Sequence, residues 1–364
     1  MNSRERFQCA MAHQKPDRVP FDIGGTSLTG MRPAVEKRLR EILGFSTQAE
    51  RRHNGIDDRI LRWAGTDFRS VGSIVDLPSD HTRRISPKER MDCWGIRREF
   101  VDGQWQITQN PLRGASIDEI RAYDWPEPEV DDGELARWEE EARQLREENR
   151  YVVVGQHPVF GILELGCWMC GYDDLLLRMV ADPDAVRVLF EKFLEIQIAV
   201  IEQYYPVLGP YIDLTTSGDD FGSQQGPLIS PATFESLIAP YFSERIGRTK
   251  DIAGCYYWHH TCGSVAALLD QIIDCGVDIL NPIQTFAAQM EPASLKERFG
   301  DRIVFWGGVD VQQFLPRARR EEVPDHIRQL LETLGEDGGY VMAPAHEIQD
   351  DVRAENIVTW VETV

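Results

Sequence analysis

Residues Gly254–Gly263 read GCYYWHHTCG and lead into a segment of helical period, Ser264–Cys275. The stretch is apolar at its start and polar at its end, which is typical of a strand that leaves a buried sheet and enters a loop. Side chains two residues apart in a strand point the same way, so we expect His260 and Cys262 to project together and His259 to face the other side. An imidazole beside a thiol supplies half of a zinc site.

Similar strand-like runs alternate with helical segments through the second half of the chain. The runs are Tyr151–Gln156, Tyr211–Thr216, Cys255–His260, Val277–Asn281, Ile303–Gly308 and Tyr340–Pro344. Two earlier strands, within residues 17–25 and 67–75, bring the number to eight. Alternating strands and helices indicate an α/β protein with parallel pairing, and eight units predict a (β/α)8 TIM-type barrel. No Gly-x-Gly-x-x-Gly follows the first strand, which disfavours an open nucleotide-binding sheet.

An excursion interrupts this pattern between the early strands and the regular half. Ile96–Val101 and Gln104–Thr108 flank Asp102-Gly103, a strong β-hairpin signal, so residues 91–110 are predicted to form a hairpin. We place it in a hairpin and helical insertion of about residues 76–150, which also holds a charged helical segment, Gly133–Arg150. A short N-terminal extension precedes the barrel. We expect residues 1–364 to form a single domain.

Composition limits the partners and the compartment. The formal net charge of −21 disfavours nucleic acid, whose phosphates would be repelled. No run approaches the roughly 18 apolar residues of a membrane span, and the polar N-terminus does not resemble a signal peptide. Seven cysteines, an odd number, are typical of reduced thiols. We therefore expect a cytoplasmic protein without nucleic-acid or membrane partners, its assembly open between a monomer and a homodimer.

Polar side chains follow five successive predicted strands, where a barrel places its chemistry. They are Asp219, Asp220, Gln224, His260, Cys262, Asn281, Gln284, Asp310 and His346. His260, Cys262 and His346 are the predicted metal ligands, because three ligands with an open fourth position are the catalytic form of a zinc site.

The remaining residues are predicted to bind substrate or move a proton. Two adjacent carboxylates, Asp219 and Asp220, are catalytic candidates because one of them can hold a raised pKa; the alternative is that they cap a helix or bind loop amides. Gln224, Asn281, Gln284 and Asp310 are expected to contact substrate. The Cys-x-x-Cys at residues 167–170 lies in a helical segment and is interpreted as packing.

Several motifs together resemble the uroporphyrinogen decarboxylase superfamily over nearly the whole chain. They are Asp17–Pro20, Ser217–Gln224, Ser230-Pro231, His260-x-Cys262-Gly263, Gly276–Asn281 and Glu355–Ile357. The resemblance implies a (β/α)8 barrel with its pocket at the C-terminal mouth. The decarboxylases of this superfamily lack a metal and carry an arginine-rich loop after the first strand, whereas residues 22–30 of this chain contain no arginine.

The other branch of the superfamily holds zinc methyltransferases that work with corrinoid proteins. They bind zinc through His-x-Cys and a later cysteine in an Ala-Pro-x-Cys-Gly-Ile context, and this chain reads Ala343–Ile348 with His346 at the cysteine position. An imidazole in place of a thiolate makes the site less anionic and better suited to polarising an oxygen.

The resemblance therefore implies a Zn²⁺-dependent methyltransferase that moves a methyl group between a small methylated substrate, such as a methyl ether undergoing O-demethylation, and the corrinoid of a partner protein. Three alternatives stay open. They are methyl transfer from a methylcobalamin-type corrinoid to a thiol, a metal-free decarboxylase or lyase of the same superfamily, and a catalytically silent barrel that only binds a metabolite or partner.

Overall fold

A computed structural model describes residues 1–51 and 55–364 of the chain. The strands β1–β11 of this part are, in order, Phe68–Val71, Arg83–Ser86, Glu89–Met91, Arg97–Val101, Gln104–Gln109, Val152–Gln156, Leu214–Gly218, Tyr256–His260, Ile279–Asn281, Val304–Val309 and Tyr340–Pro344. Seven of them form one parallel sheet in the order β1-β6-β7-β8-β9-β10-β11. Sequential strands that pair in parallel, with helices between them, are the arrangement of a TIM-type barrel, which confirms the predicted α/β class.

Helices pack against this parallel sheet. Helices α1–α15 are, in order, Ser3–Met11, Pro33–Ile42, Asp58–Ala64, Ile117–Arg121, Asp132–Glu148, Ile162–Cys170, Tyr172–Ala181, Pro183–Leu208, Pro231–Thr233, Ala239–Ala253, Leu269–Asp274, Pro292–Phe299, Phe314–Arg317, Val323–Gly335 and Ala354–Thr363. A π-helical segment, Phe234–Ile238, joins α9 to α10. Helices α7 and α8 are separate, because Asp182 caps a new helix that begins at Pro183.

The first predicted strand, within residues 17–25, is reduced to a single parallel bridge between Phe21 and Met342 of β11. The Asp22 N–H donates to Met342 O, and the Asp67 N–H, next to β1, donates to Phe21 O. This short segment therefore connects the two ends of the sheet. It does not extend into a strand because Pro20 has no N–H to donate and a glycine turn follows at Gly24.

A buried carboxylate fixes this closure. Asp67 is 1% exposed and accepts hydrogen bonds from the Phe21 N–H, from Arg6 at 2.9 Å and from Arg18 at 2.7 Å. Two guanidinium groups offset the cost of burying one carboxylate in this position. The N-terminal extension is thereby attached to the first strand.

The predicted hairpin is part of a larger antiparallel sheet, β2-β3-β4-β5. Its hairpin turn matches the prediction, since both Asp102 and Gly103 have positive φ, 49° and 84°, as a type I′ turn requires. The sheet begins at Arg83, within the predicted insertion of about residues 76–150, so β2 and β3 add two strands to the predicted hairpin. The two extra strands are polar and exposed, and they lack the alternation that marks a half-buried strand.

The inside of the barrel is filled by side chains from alternate positions on its strands. Trp258 of β8 and Trp306 of β10 are both fully buried, with ring centroids 5.8 Å apart. His260 lies two residues beyond Trp258 and so points into the same interior, one layer nearer the C-terminal mouth. Within the described residues, no helix is both long enough and apolar enough to cross a membrane.

Candidate metal centre

The three predicted ligands meet at the C-terminal mouth of the barrel. One ligand atom from each of His260, Cys262 and His346 lies within 4.8 Å of the others. The His260 Nε2 atom is 3.3 Å from Cys262 Sγ, and the two imidazole rings meet edge to face with centroids 5.4 Å apart. His346 lies more than 80 positions after His260 and Cys262 in the sequence. It meets them because the carboxyl ends of β8 and β11 lie at the same end of the barrel.

His260 is held in one orientation by a chain of two hydrogen bonds. Its Nδ1 lies 2.6 Å from Asn281 Oδ1, and Asn281 Nδ2 donates to the carbonyl oxygen of Trp306 at 3.1 Å. A carbonyl oxygen only accepts, so the amide nitrogen of Asn281 must face Trp306 and its oxygen must face the imidazole. Nδ1 therefore carries the proton, and the lone pair of Nε2 points toward Cys262. Metal-binding histidines are oriented in this way in proteins.

Cys262 lies in a loop whose backbone is tightly packed. Its N–H donates to Asp220 Oδ1 at 2.7 Å. The following Gly263 has φ of +82°, and a Cβ there would come within 2.6 Å of Ser223 O, so the turn requires glycine. Burial, and then the charge of Asp220, raise the pKa of the Cys262 thiol. A bound cation would reverse this shift, since it stabilises a thiolate.

His346 is held differently, by the backbone beside it. The N–H of Glu347 donates to His346 Nδ1 at 2.8 Å, so the neutral ring carries its proton on Nε2 in this arrangement. Burial lowers the pKa of His346, and burial lowers the pKa of His260 to about 4. Both imidazoles are therefore neutral near pH 7, which is the form that binds metals.

The two adjacent carboxylates have separate surroundings. Asp219 is fully buried, and its oxygens accept from the N–H groups of Leu163 at 3.0 Å and Glu164 at 2.8 Å, at the start of α6. A Cβ on Gly161 would come within 2.2 Å of the Asp219 carboxyl carbon, so this close approach requires glycine. Burial raises the pKa of Asp219 to about 6. Both carboxylates therefore accept from backbone amides, the alternative considered from the sequence: Asp219 at the start of α6 and Asp220 in the Cys262 loop.

Glu164 is a candidate functional residue that the sequence did not indicate. It lies in the first turn of α6, and burial, followed by the charges of Asp219 and Asp220, raises its pKa to about 8. Glu164 is thus a protonated acid at neutral pH beside the metal-binding loop. It lies eight residues beyond the end of β6 at Gln156, so a search of residues that directly follow strands does not reach it.

The predicted substrate contacts are used in several ways. Gln284 Oε1 accepts from Gln224 Nε2 at 3.1 Å and from the Gly263 N–H at 2.9 Å, so these two amides brace the Cys262 loop. Asp310 is 3% exposed, and its Oδ1 accepts from the N–H groups of Gln312, Gln313 and Phe314. Gln224, Gln284 and Asn281 therefore lie around the predicted ligands. Asp310 instead binds the backbone N–H groups of its own loop.

The two cysteines of the Cys-x-x-Cys motif, Cys167 and Cys170, are buried in α6. Burial raises the pKa of the thiol at both positions, to about 12 for Cys170. Among the described residues, neither cysteine belongs to a group of three possible metal ligands, in contrast to Cys262. Their environment fits the packing role expected from the sequence.

A family model described as Uroporphyrinogen decarboxylase (URO-D) matches residues 91–364. The chain belongs to the uroporphyrinogen decarboxylase family. This family member is 23% identical over 292 residues to a uroporphyrinogen decarboxylase from Methylococcus capsulatus, and the match covers 75% of each chain. Its fold is similar to that of a methyltransferase from Methanosarcina mazei, with a TM-score of 0.65 and 16% identity over 100% of this chain and 98% of the other.

The donor set of this URO-D family member fits zinc. Two imidazoles and one thiol, with a fourth position open, are a combination that zinc takes in catalytic sites. Bonds of about 2.0 Å to nitrogen and about 2.3 Å to sulfur place tetrahedral N and S ligands roughly 3.5 Å apart. The His260 Nε2 to Cys262 Sγ separation of 3.3 Å is close to that value.

Proposed function

We propose that this protein is a zinc-dependent methyltransferase that takes a methyl group from a small methyl ether and passes it to the corrinoid of a partner protein. The observation that carries the proposal is the convergence of His260, Cys262 and His346 within 4.8 Å, with the lone pair of His260 already directed at Cys262. Membership of the family and the fold shared with a methyltransferase support the same assignment.

In the proposed reaction the carbon–oxygen bond of the ether breaks, the methyl group passes to Co(I) of the corrinoid, and the oxygen leaves as an alkoxide or phenolate. When bound, zinc would act as a Lewis acid on that oxygen and stabilise the charge that develops there. A ligand set with two neutral imidazoles and one thiolate keeps more positive charge on the ion than two thiolates would. This greater positive charge favours demethylation of an ether. It is less suited to the reverse direction, in which a thiol is activated to accept the methyl group.

The leaving oxygen then needs a proton, and Glu164 is the group that we propose to supply it. Its raised pKa of about 8 keeps it protonated at neutral pH, and its N–H donates to Asp219, the neighbour of the residue that accepts from the Cys262 N–H. Asp220 positions that loop by accepting the Cys262 N–H. Asp219, which the sequence indicated as catalytic, contributes by fixing the start of the helix that carries Glu164.

A second candidate, metal-free decarboxylation, is favoured by the name of the Methylococcus capsulatus relative. A substrate with several carboxylates would need cationic side chains in the loop after the first predicted strand. Residues 22–30 contain no arginine or lysine, and Asp22 is buried there in bonds to Thr29 and the Gly25 N–H. The loop is therefore poorly suited to a polyanionic substrate.

The first experiment measures zinc in the purified protein and then methyl transfer in both directions. We expect about one equivalent of zinc per chain, and formation of methylcobalamin from cob(I)alamin and a methyl ether, followed by its visible spectrum. The reverse assay supplies methylcobalamin and a thiol. Chelator-treated protein, with and without added zinc, is the control for metal dependence.

The outcomes separate the candidates. A protein that contains no zinc and takes up none contradicts the proposal and favours the decarboxylase. Zinc-dependent methylation of a thiol without demethylation of any ether would reverse the direction. A zinc protein that is inactive in both assays would favour a barrel that only binds a metabolite or partner.

A further inference from the structure

The start of helix α6, which carries Glu164, is held by side chains from three other elements. Asp219, after β7, accepts from the first N–H groups of the helix. The carbonyl oxygen of Phe160, just before the helix, accepts from Arg245 Nη1 at 2.9 Å and from Gln197 Nε2 at 3.0 Å. Arg245 belongs to α10 and Gln197 to α8, two helices that pack against each other. The position of Glu164 therefore depends on residues that lie far from it in the sequence.

The arginine and the carboxylate contact consecutive residues of the chain. Arg245 donates to the carbonyl oxygen of Phe160. Gly161, the next residue, lies so close to Asp219 that a Cβ there would come within 2.2 Å of its carboxyl carbon. The Phe160–Gly161 peptide is thus enclosed by a guanidinium group and a carboxylate where the chain enters α6.

Arg245 differs from the other residues of this group because it is a charged side chain that is fully buried. Its Nη1 contacts a neutral carbonyl oxygen, and within the described residues its Nε and Nη2 atoms have no hydrogen-bond partner. Burying a charge is costly unless an opposite charge lies close to it. We therefore expect an anion in the surroundings of Arg245.

Asp219 is the carboxylate that offsets this charge. The other titratable groups around Arg245 are His157, His259 and Tyr257, and burial lowers the pKa of both imidazoles and raises that of the phenol, so all three are neutral near pH 7. Burial raises the pKa of Asp219, and the charge of Arg245 is the strongest influence that opposes this rise. In the described part of the chain no hydrogen bond joins Arg245 to Asp219 directly. Their charges therefore act across the peptide that lies between them.

We propose that Arg245 is a positioning residue of the metal centre, which fixes the entry to α6 through Phe160 O and offsets the charge of Asp219, and so holds Glu164 beside the Cys262 loop. The inference rests on the proposed function, because Glu164 is there the proton donor. It assigns to a buried residue of α10 a part in the reaction, although Arg245 acts only through the start of α6.

Amide hydrogen exchange at residues 161–166 of the full-length, chelator-treated protein tests this position without substrate or metal. Arg245→Met removes both the hydrogen bond and the charge, so exchange there should be at least about tenfold faster than in the wild type. Gln197→Met is the matched control, because Gln197 donates to the same carbonyl oxygen but is uncharged; it should accelerate exchange by about fivefold or less. Arg245→Lys keeps the charge and should stay within about threefold of the wild type.

Exchange in helix α14, Val323–Gly335, is the internal reference for the stability of the whole fold. An equal acceleration in α14 and at residues 161–166 would overturn the proposal, because Arg245 would then support the fold in general. Equal effects of Arg245→Met and Gln197→Met, or rapid exchange in Arg245→Lys, would also overturn it. If Arg245→Met does not fold, Arg245→Gln takes its place. Glutamine keeps a donor but loses the charge, so its exchange should be faster than that of Arg245→Lys, and equal rates would contradict the role of the charge.

Methyl-transfer kinetics separate this inference from the proposed function. If both are correct, Arg245→Met should lower kcat about tenfold or more and leave KM nearly unchanged, because the proton donor is displaced; Arg245→Lys should restore kcat. Faster exchange in Arg245→Met, together with a wild-type zinc protein that transfers no methyl group, would support the role of Arg245 and contradict the proposed function. Unchanged exchange in Arg245→Met would overturn the role of Arg245 whatever the activity.

Discussion

The two histidines of the metal centre are held in opposite ways. His260 is borne by strand β8, and the Asn281 side chain, itself fixed by Trp306 O, places the proton on Nδ1 and leaves Nε2 free. His346 lies in the loop after β11, and the Glu347 N–H occupies its Nδ1. A metal that binds His346 through Nδ1 displaces this N–H, and one that binds through Nε2 moves the ring proton to Nδ1 and breaks the same bond. His260 therefore has a free Nε2 for a metal, whereas His346 must first lose its hydrogen bond from the Glu347 N–H.

The comparison indicates that His260 and Cys262, at the end of β8, are the oriented half of the site. His260 ends strand β8 and is oriented by Asn281, and Cys262 is held in the following loop by Asp220 and the Gly263 turn. His346 contributes at the cost of a hydrogen bond. We therefore expect a substitution at His260 or Cys262 to change zinc binding differently from the same kind of substitution at His346.

The largest expected effect is loss of the metal. His260→Ala and Cys262→Ser should reduce bound zinc from about one equivalent to below about 0.1, because each removes half of the oriented pair. His346→Ala should retain a measurable fraction, with water in its place. Zinc content after gel filtration gives the comparison, and Cys9→Ser, a cysteine outside the cluster, is the control. Equal loss in all three variants would show that the halves are equivalent.

The next effect concerns the support of His260. Asn281→Ala removes the acceptor for Nδ1 and should weaken zinc binding about 10- to 100-fold, as is usual when the group that orients a ligand is lost. Asn281→Asp keeps an acceptor and should retain most of the affinity. Competition with a chromophoric chelator measures both. Asn356→Ala, which removes a buried amide that donates to the carbonyl oxygens of Leu315 and Ala318, is the matched control. An equal loss in Asn281→Asp and Asn281→Ala would contradict the role assigned to the acceptor.

Replacing each histidine by cysteine should have opposite effects on zinc binding. At position 346 a thiolate can accept the Glu347 N–H and still bind the ion, so His346→Cys should bind zinc about tenfold more tightly. At position 260 the thiolate would face the oxygen of Asn281, so His260→Cys should bind more weakly. The same chelator competition reports both. Changes of the same sign at both positions would show that the surroundings of the two histidines do not differ in the way described.

The ligand set could be predicted from the sequence because it depends on local rules. Two-residue spacing on a strand places His260 beside Cys262, and the ends of parallel strands bring His346 to them. The barrel strands were found within one to three residues, since continuous apolar runs mark strands that are buried on both faces. The first strand was the exception, because a proline and a glycine turn leave it only one bridge.

Glu164 and the cross-strand arginines Arg84, Arg90 and Arg98 could not be predicted, because both depend on distant contacts. Glu164 reaches the site only because Gly161 lets α6 approach Asp219, which is 58 residues further along the chain. The arginines share a face only in one strand register, and an irregularity between Arg84 and Ser86 contributes to that register. No local pattern in the sequence reports either fact.

The smallest expected effect concerns the ionisation of Glu164, the carboxyl group that acts on Cys262. Burial, then Asp220 and, where it is ionised, Glu164 raise the pKa of Cys262, whereas the carboxylates that act on His346 are Asp220 and Glu347. The pKa of Glu164 is raised from 4.5 to about 8, so between these pH values the folded protein keeps a proton that the unfolded chain releases. Its contribution to stability is therefore present below pH 4.5 and is lost as the pH rises toward 8.

Glu164→Gln keeps the group neutral and should remove this loss. Relative to the variant, the wild-type chain should lose on the order of 2 kcal/mol of unfolding free energy between pH 5 and pH 8. Denaturant titrations of chelator-treated protein at several pH values measure the difference, with the exposed Glu332→Gln as the control. Parallel pH curves for wild type and Glu164→Gln would mean that Glu164 ionises normally, and the acid beside Cys262 could then not serve as the proton donor.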